Sequence, residues 1–276
     1  MNIQRLSIVV LAVVVCFACM GCRASEDAAA EDYSELLMQP KDYEDSLRMQ
    51  LLSVELVQEE LRLTDDQLGK LDGLFKTAMT KSREIFPEVP DVNSSPQSLS
   101  QEEYKELMRK IKDLQSTKKK FLAKCFAVLT PGQMERLKQI QLQAAMPGSL
   151  ERPEIIKALH LSEEQIEKIR TLHDQMKQRW SAKQSDRSNP NENERMVEFV
   201  KALYKDQVET TDRTLDILTP EQRTELEKLT GKKIDLQRIH DVWTKKGESY
   251  LADPDVFRCS SPFARKGANN NPGSKN

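Results

Sequence analysis

Four times this chain writes a leucine, then Thr or Ser, two variable residues and Gln: Leu63-Thr64-Asp65-Asp66-Gln67, Leu129-Thr130-Pro131-Gly132-Gln133, Leu161-Ser162-Glu163-Glu164-Gln165 and Leu218-Thr219-Pro220-Glu221-Gln222. Each copy runs into an amphipathic stretch, and the physics of a helix start accounts for the residue types. Thr or Ser at the N-cap accepts a bond from a free N–H of the first turn, while Gln three residues on reaches back to the N-cap N–H. Pro131 and Pro220 occupy the first helical position, where proline lacks only an N–H that had no partner. Asp65, Asp66, Glu163, Glu164 and Glu221 place negative charge where the helix dipole favours it. One such box is common in helical proteins. Four with the same leucine ahead are a repeat, and they commit the chain to helices.

The order of the copies is regular. The first and third open as Leu61-Arg62-Leu63-Thr64 and Leu159-His160-Leu161-Ser162, whereas the second and fourth close a long helix as Val128-Leu129-Thr130-Pro131 and Ile217-Leu218-Thr219-Pro220. The expected organisation is therefore all-α: elongated antiparallel helical hairpins in two tandem modules, 42–147 and 150–236, divided at Pro147-Gly148-Ser149. Each module has a lead-in helix, a second helix opened by L-x-L-[TS]-x-x-Q, a polar loop (Pro87 to Ser98, Ser185 to Asn193), a long third helix and a fourth opened by L-T-P-x-Q. Apolar stripes support the layout. Tyr104, Leu107, Ile111, Leu114, Phe121, Cys125 and Val128 mark one long helix, interrupted at Lys118, and Val197, Val200, Tyr204, Val208, Leu215 and Leu218 mark its counterpart. The second helices carry Leu68, Leu71, Phe75, Ala78, Ile85 and Ile166, Ile169, Met176, Trp180. Stripes this narrow suit thin helical hairpins.

Composition agrees: with 9 glycines and 5% aromatic residues, the chain lacks what nucleotide-binding α/β folds and barrels require. A net charge of −2 gives no long-range attraction to nucleic acid, so no nucleic-acid partner is expected. At the N-terminus, Arg5 precedes the uncharged run Leu6 to Phe17, too short to span a bilayer but fitting a secretory signal. Ala18-Cys19-Met20-Gly21-Cys22 then resembles a bacterial lipobox with Cys22 as the lipidated residue, although Cys19 stands where leucine is usual. An ordinary cleaved signal and an uncleaved anchor are the other readings. Residues 1–22 are thus read as the signal peptide, 23–41 as a tether, and 237–276 as a short helix around Ile234 to Trp243 followed by a disordered basic tail. Beyond Cys22, Cys125 reads as a small buried hydrophobe; an exported chain also has the chemistry to join it to Cys259.

The paired L-T-x-x-Q boxes on an exported helical chain resemble the Spy/CpxP-like periplasmic family, over residues 50 to 232. Leu63, Thr64, Gln67, Leu129, Thr130, Gln133, Leu218, Thr219 and Gln222 match its signature, and the third box, Leu161, Ser162, Gln165, has Ser for Thr. The resemblance implies ATP-independent chaperones, stress modulators or metal-responsive sensors, and thin cradle-shaped dimers. Four boxes instead of two suggest that one chain imitates a two-subunit cradle, and the lipid at Cys22 would confine it to the membrane surface on the periplasmic side of a bacterial envelope.

Sites for chemistry are sparse. No phosphate-binding loop, nucleophile elbow, H-E-x-x-H or, past the signal, C-x-x-C is present. His160 and His173 with Glu164 form a weak metal set against ordinary surface histidines, His240 sits on the last helix, and Lys118, Lys119, Lys120 and Lys124 form either an acidic-client patch or a solvated face. The expectation is a non-catalytic protein without cofactor that binds unfolded or misfolded envelope proteins and meets the membrane through its N-terminal lipid. A metal or ligand sensor of the same fold and a structural or adaptor lipoprotein are the alternatives.

Overall fold

A computed structural model of the chain describes residues 40–85, 100–185, 192–252 and 261–263. The signal peptide, Cys22, most of the tether, the Pro87 to Ser98 loop, Cys259 and most of the basic tail lie outside the described residues. Among those described there are helices and no strand: α1 (Pro40–Leu52), α2 (Glu55–Glu60), α3 (Asp65–Ile85), α4 (Gln101–Phe126), α5 (Pro131–Ala144), a 3-10 turn (Gly148–Glu151), α6 (Pro153–Leu159), α7 (Glu163–Ser185), α8 (Glu192–Leu215), α9 (Pro220–Thr230) and α10 (Leu236–Ala252). None of the helices searched is long and apolar enough to cross a membrane.

The chain divides into two compact units, one running to Met134 and taking in Ser261–Phe263, the other Glu135–Ala252. The boundary falls inside α5, thirteen residues before the expected divider. Its physical cause is the later part of α5, where Leu137, Ile140 and Gln141 are buried. Arg136 and Gln143 there donate to the carbonyls of Thr230 and Lys232, which α9 leaves without helical partners. Pro147-Gly148-Ser149 is consequently no free linker: Ser149 and Leu150 are buried in the second unit, and Gln207 donates to the carbonyls of Ala144 and Met146.

In the first unit, α3 pairs with α4, while α1 packs on α2 and α4. Buried Leu51, Leu52, Val54, Val57, Leu71, Leu122 and Cys125 form the core side of these helices. Residues 261–263, expected within the disordered tail, pack on this unit, with Phe263 only 3% exposed. In the second unit, α7 pairs with α8, α8 with α10, and α6 with α9. Its core joins Met146, Leu150, Ile155, Leu159, Leu161, Ile169, Leu218 and Leu226.

The α8 stripe departs from its pattern in sequence. Val208, expected inside, is 42% exposed, while Asp206, Thr210 and Thr214 are buried. These three lie on successive turns, and Val208 stands about 200° round the helix from Asp206. The buried row is polar because α7 supplies partners. Arg179 donates to Thr210 Oγ1 at 3.1 Å and lies 3.5 Å from Asp206, and Lys183 Nζ is 3.2 Å from the other Asp206 oxygen. Thr214 satisfies itself on the Thr210 carbonyl.

Candidate functional site

All four boxes open their helices as capping boxes. The N–H groups of Thr64, Thr130, Ser162 and Thr219 donate to the Oε1 of Gln67, Gln133, Gln165 and Gln222 at 2.9 to 3.1 Å. The glutamine N–H groups return to the hydroxyls at 3.2 to 3.3 Å. Each leading Arg62 or His160 has a positive φ, 51° and 49°, directly after α2 and α6. The Leu63 and Leu161 N–H groups reach back to the Gln58 and Ile156 carbonyls at 3.1 Å, with Arg62 and His160 bonding Glu59 and Lys157. That is a Schellman stop followed at once by an N-cap, so L-x-L-[TS] ends one helix and starts the next.

The glutamines then do something a cap does not require. Gln67 Nε2 donates to Gln133 Oε1 at 2.7 Å, and Gln133 Nε2 donates back to Gln67 Oε1 at 3.1 Å. Their remaining protons go to the Val128 carbonyl, just past α4, and the Leu61 carbonyl, just past α2. In the second unit Gln165 and Gln222 repeat this at 2.7 and 3.0 Å, with the Ile217 and Leu159 carbonyls as the outer acceptors. The pairs bridge 66 and 57 residues of sequence. Each side-chain amide uses both protons and both acceptor directions, which is its full capacity. Two N-termini and two C-termini of helices are thereby tied at one point in each unit, satisfying groups that helix ends leave open.

This explains why the fifth position is Gln. Leu99-Ser100-Gln101-Glu102-Glu103 spells the same pattern with Glu, and it caps α4 in full: Ser100 N–H and hydroxyl donate to Glu103 and the Glu103 N–H returns. Those bonds from Ser100 hold the Glu103 carboxyl below the usual range. Glu103 is exposed, at the far end of α4 from the clasp. A carboxylate caps as well as an amide but has no proton for a cross-pair. At the fourth box Arg223, next after Gln222, donates to the Leu218 carbonyl and pairs with Asp216. The clasp groups are neutral amides and hydroxyls fully engaged with one another, so they hold helix ends and offer no proton or electron pair to a substrate.

The weak metal set is separated. His160 is exposed, Glu164 pairs with Lys168 at 2.7 Å, and His173 Nδ1 bonds Glu151 with its ring against Gly148. The described residues hold no group of three or more His, Cys, Asp and Glu placed for a metal. Burial pushes the Cys125 thiol up to about 12, and it is free and inert. Of the lysine cluster, Lys119, Lys120 and Lys124 are exposed and Lys118 is half-buried. His240 stacks on Tyr204 at 4.1 Å, its Nε2 3.3 Å from the Val200 carbonyl. Burial moves His240 below its ordinary value despite that carbonyl and Asp241. An open groove of about 520 Å³ beside the second clasp is lined by Glu164, Glu167, Lys168, Thr171, Leu172 and Ile217. The Glu164–Lys168 pair spends its charge locally, leaving little to orient a small ligand.

Away from the first clasp, the apolar stripe is only half covered. Leu74, Phe75, Ala78, Met79 and Ile85 on α3, and Leu107, Met108, Ile111 and Leu114 on α4, are all only partly buried, whereas burial resumes at Leu71, Leu122 and Cys125. Val200, Tyr204 and Trp180 repeat this on α7 and α8. Two paired helices have one contact seam, and residues flanking it are only partly closed over, by Phe263 at Phe75 and by His240 of α10 at Tyr204. The sequence signals for the stripe were present; the clasp had none beyond the recurrence of Gln.

Comparison with family models, with curated proteins and with solved structures finds no match to this chain.

Proposed function

We propose that the chain is a non-catalytic binding protein of the cell envelope, chaperone-like, which holds unfolded or misfolded proteins against the half-covered apolar faces of its helix pairs. The observation that carries this reading is the α3–α4 stripe: nine apolar side chains, five on α3 and four on α4, neither buried nor fully exposed. Half-covered apolar surface flanked by charge gives an unfolded chain a place to bury its own apolar residues while the free protein keeps its solubility. The flanking charge is dense, with Lys76, Lys81, Arg83, Lys105, Arg109 and Lys112 exposed on the same two helices beside Glu84, Glu106 and Asp113. The clasps contribute rigidity, since they fix the base of each helix pair from which the stripe extends. The resemblance of the boxes to the Spy/CpxP-like family points the same way, and the lipobox-like run ending at Cys22 favours a membrane surface as the location.

The test is aggregation of several chemically unfolded reference proteins, followed by light scattering, with the chain lacking its signal peptide added at stoichiometric amounts. Suppression with more than one unrelated substrate is expected. No suppression with any of them overturns the proposal.

A further inference from the structure

The C-terminal tripeptide Ser261-Pro262-Phe263 lies past α10 in sequence, yet Phe263 is buried and Ser261 nearly so. Three features of the first unit receive it. The Phe263 ring meets Phe75 of α3 edge to face, centroids 6.4 Å apart at 71°. Gln58 Nε2, already bonded to the Leu52 carbonyl at 3.0 Å, reaches the Pro262 carbonyl at 3.5 Å. Ser261 lies beside Asp72, whose carboxyl burial would raise; Lys76 and Ser261 instead hold it low. An aromatic ring and a backbone carbonyl are what the notch reads. The ring and the carbonyl are features of any extended peptide carrying an aromatic residue.

The repeat adds a second observation. Phe75 stands eight residues after Gln67, and His173 stands eight after Gln165. His173 is the residue on which the Gly148–Glu151 turn closes, with its ring against Gly148 and its Nδ1 on Glu151. The same repeat position is thus a contact point for a non-repeat segment in both units. In the second unit the occupant is continuous with α5 and α6. In the first it is a tripeptide attached through residues 253–260 and held on the polar side by one long hydrogen bond from Gln58.

We propose that the notch around Phe75, bounded by Gln58 and Asp72, is a binding site for an extended peptide segment bearing an aromatic side chain, which Ser261-Pro262-Phe263 of the chain itself occupies as a tethered, exchangeable stand-in. The inference rests on the binding role proposed above and names where on the first unit a client's exposed aromatic residue enters. Occupation by the tail keeps the notch from sticking to other surfaces until a client outcompetes it.

The experiment titrates the full-length chain into a fluorescein-labelled peptide of sequence Ser-Ser-Pro-Phe-Ala, read by anisotropy. Phe263→Ala, which vacates the notch, is expected to bind at least tenfold more tightly than the unmodified chain. Adding Phe75→Ala to that variant is expected to abolish the gain, and a peptide with Ala for Phe is expected not to bind. Equal affinity of Phe263→Ala and the unmodified chain overturns the proposal, as does a gain that survives Phe75→Ala. Should Phe263→Ala unfold, the unmodified chain decides: saturating peptide is expected to speed tryptic cleavage at Arg265 at least threefold by displacing the tail, and an unchanged rate overturns the proposal. Aggregation suppression measured on the same proteins separates the two readings. Suppression indifferent to Phe75 and Phe263 removes the notch and leaves the binding role standing; peptide exchange without any suppression removes the role and leaves the notch.

Discussion

Gln67→Glu isolates the clasp from the cap. The carboxylate keeps the acceptor for the Thr64 N–H but loses both donated bonds, to the Val128 carbonyl at 2.9 Å and to Gln133 Oε1 at 2.7 Å. Each lost bond contributes about 1 kcal/mol net, and leaving the Val128 carbonyl without this donor costs about 1 to 1.5 kcal/mol more, while Gln133 Oε1 keeps the Thr130 N–H. Negative charge at the N-terminus of α3 returns about 0.5 to 1 kcal/mol. The expected destabilisation is about 2 to 3 kcal/mol near neutral pH, read as a lower urea midpoint at unchanged slope. Once protonated, the introduced carboxyl regains one donor, so folding favours the neutral acid and raises its pKa above the unfolded value of about 4.3. The penalty is then smallest below that value and grows as the pH rises through the folded one. Glu103→Gln, which alters a cap without a cross-pair, is expected to change stability by less than about 0.5 kcal/mol. A cycle of Gln67→Ala, Gln133→Ala and the double variant should show coupling of about 1 kcal/mol or more. A Gln67→Glu cost no larger than that of Glu103→Gln, or zero coupling, would mean that the glutamine pair does not hold the helix ends together.

Other perturbations test the surrounding structure. Arg62→Gly and His160→Gly relieve side chains held at positive φ, and each is expected to stabilise its unit by about 0.5 to 1 kcal/mol after the glycine's own entropy cost, measured by urea denaturation. His240 titrates below its ordinary value because it is buried, so the unfolded state takes up the proton first. Its contribution to stability is present above about pH 6.5 and is lost as the pH falls towards the depressed folded value. Fluorescence of the half-buried Trp243 should report loosening of α10 on acidification, and His240→Gln should flatten that response. Val208→Ser should cost under about 0.5 kcal/mol, as at an ordinary surface site, whereas Asp206→Ala leaves Arg179 and Lys183 without their carboxylate and should cost about 1 kcal/mol or more.

What could be read from the sequence was local. Thr64 and Gln67 lie three apart, so their reciprocal bonds follow from helix geometry, and the helices of both modules followed from four such boxes. The second role of the glutamines depends on a partner 66 or 57 residues away, and no local rule specifies that pairing. The same holds for α8, where residue type favours Val208 as core but the distant Arg179 and Lys183 make the Asp206 row the buried one. Phe263 sits in a segment of tail-like composition, and its burial is decided by Phe75 on a different helix. The Met134/Glu135 boundary was hidden for a related reason: a proline-glycine-serine run suggests a linker, whereas hydrogen bonds from Arg136 and Gln143 to the end of α9 assign most of α5 to the second unit.

In the function proposed above, unfolded chains are held on the half-covered stripe of the helix pairs. Hydrogen exchange of the chain with and without a stoichiometric unfolded reference protein shows whether the stripe is where they sit. Slowed exchange is expected in α3 from Leu74 to Ile85 and in α4 from Leu107 to Leu114, with the turns around Gln67 and Gln133 unchanged. Protection spread evenly over the chain, or confined to helices without the stripe, would contradict it.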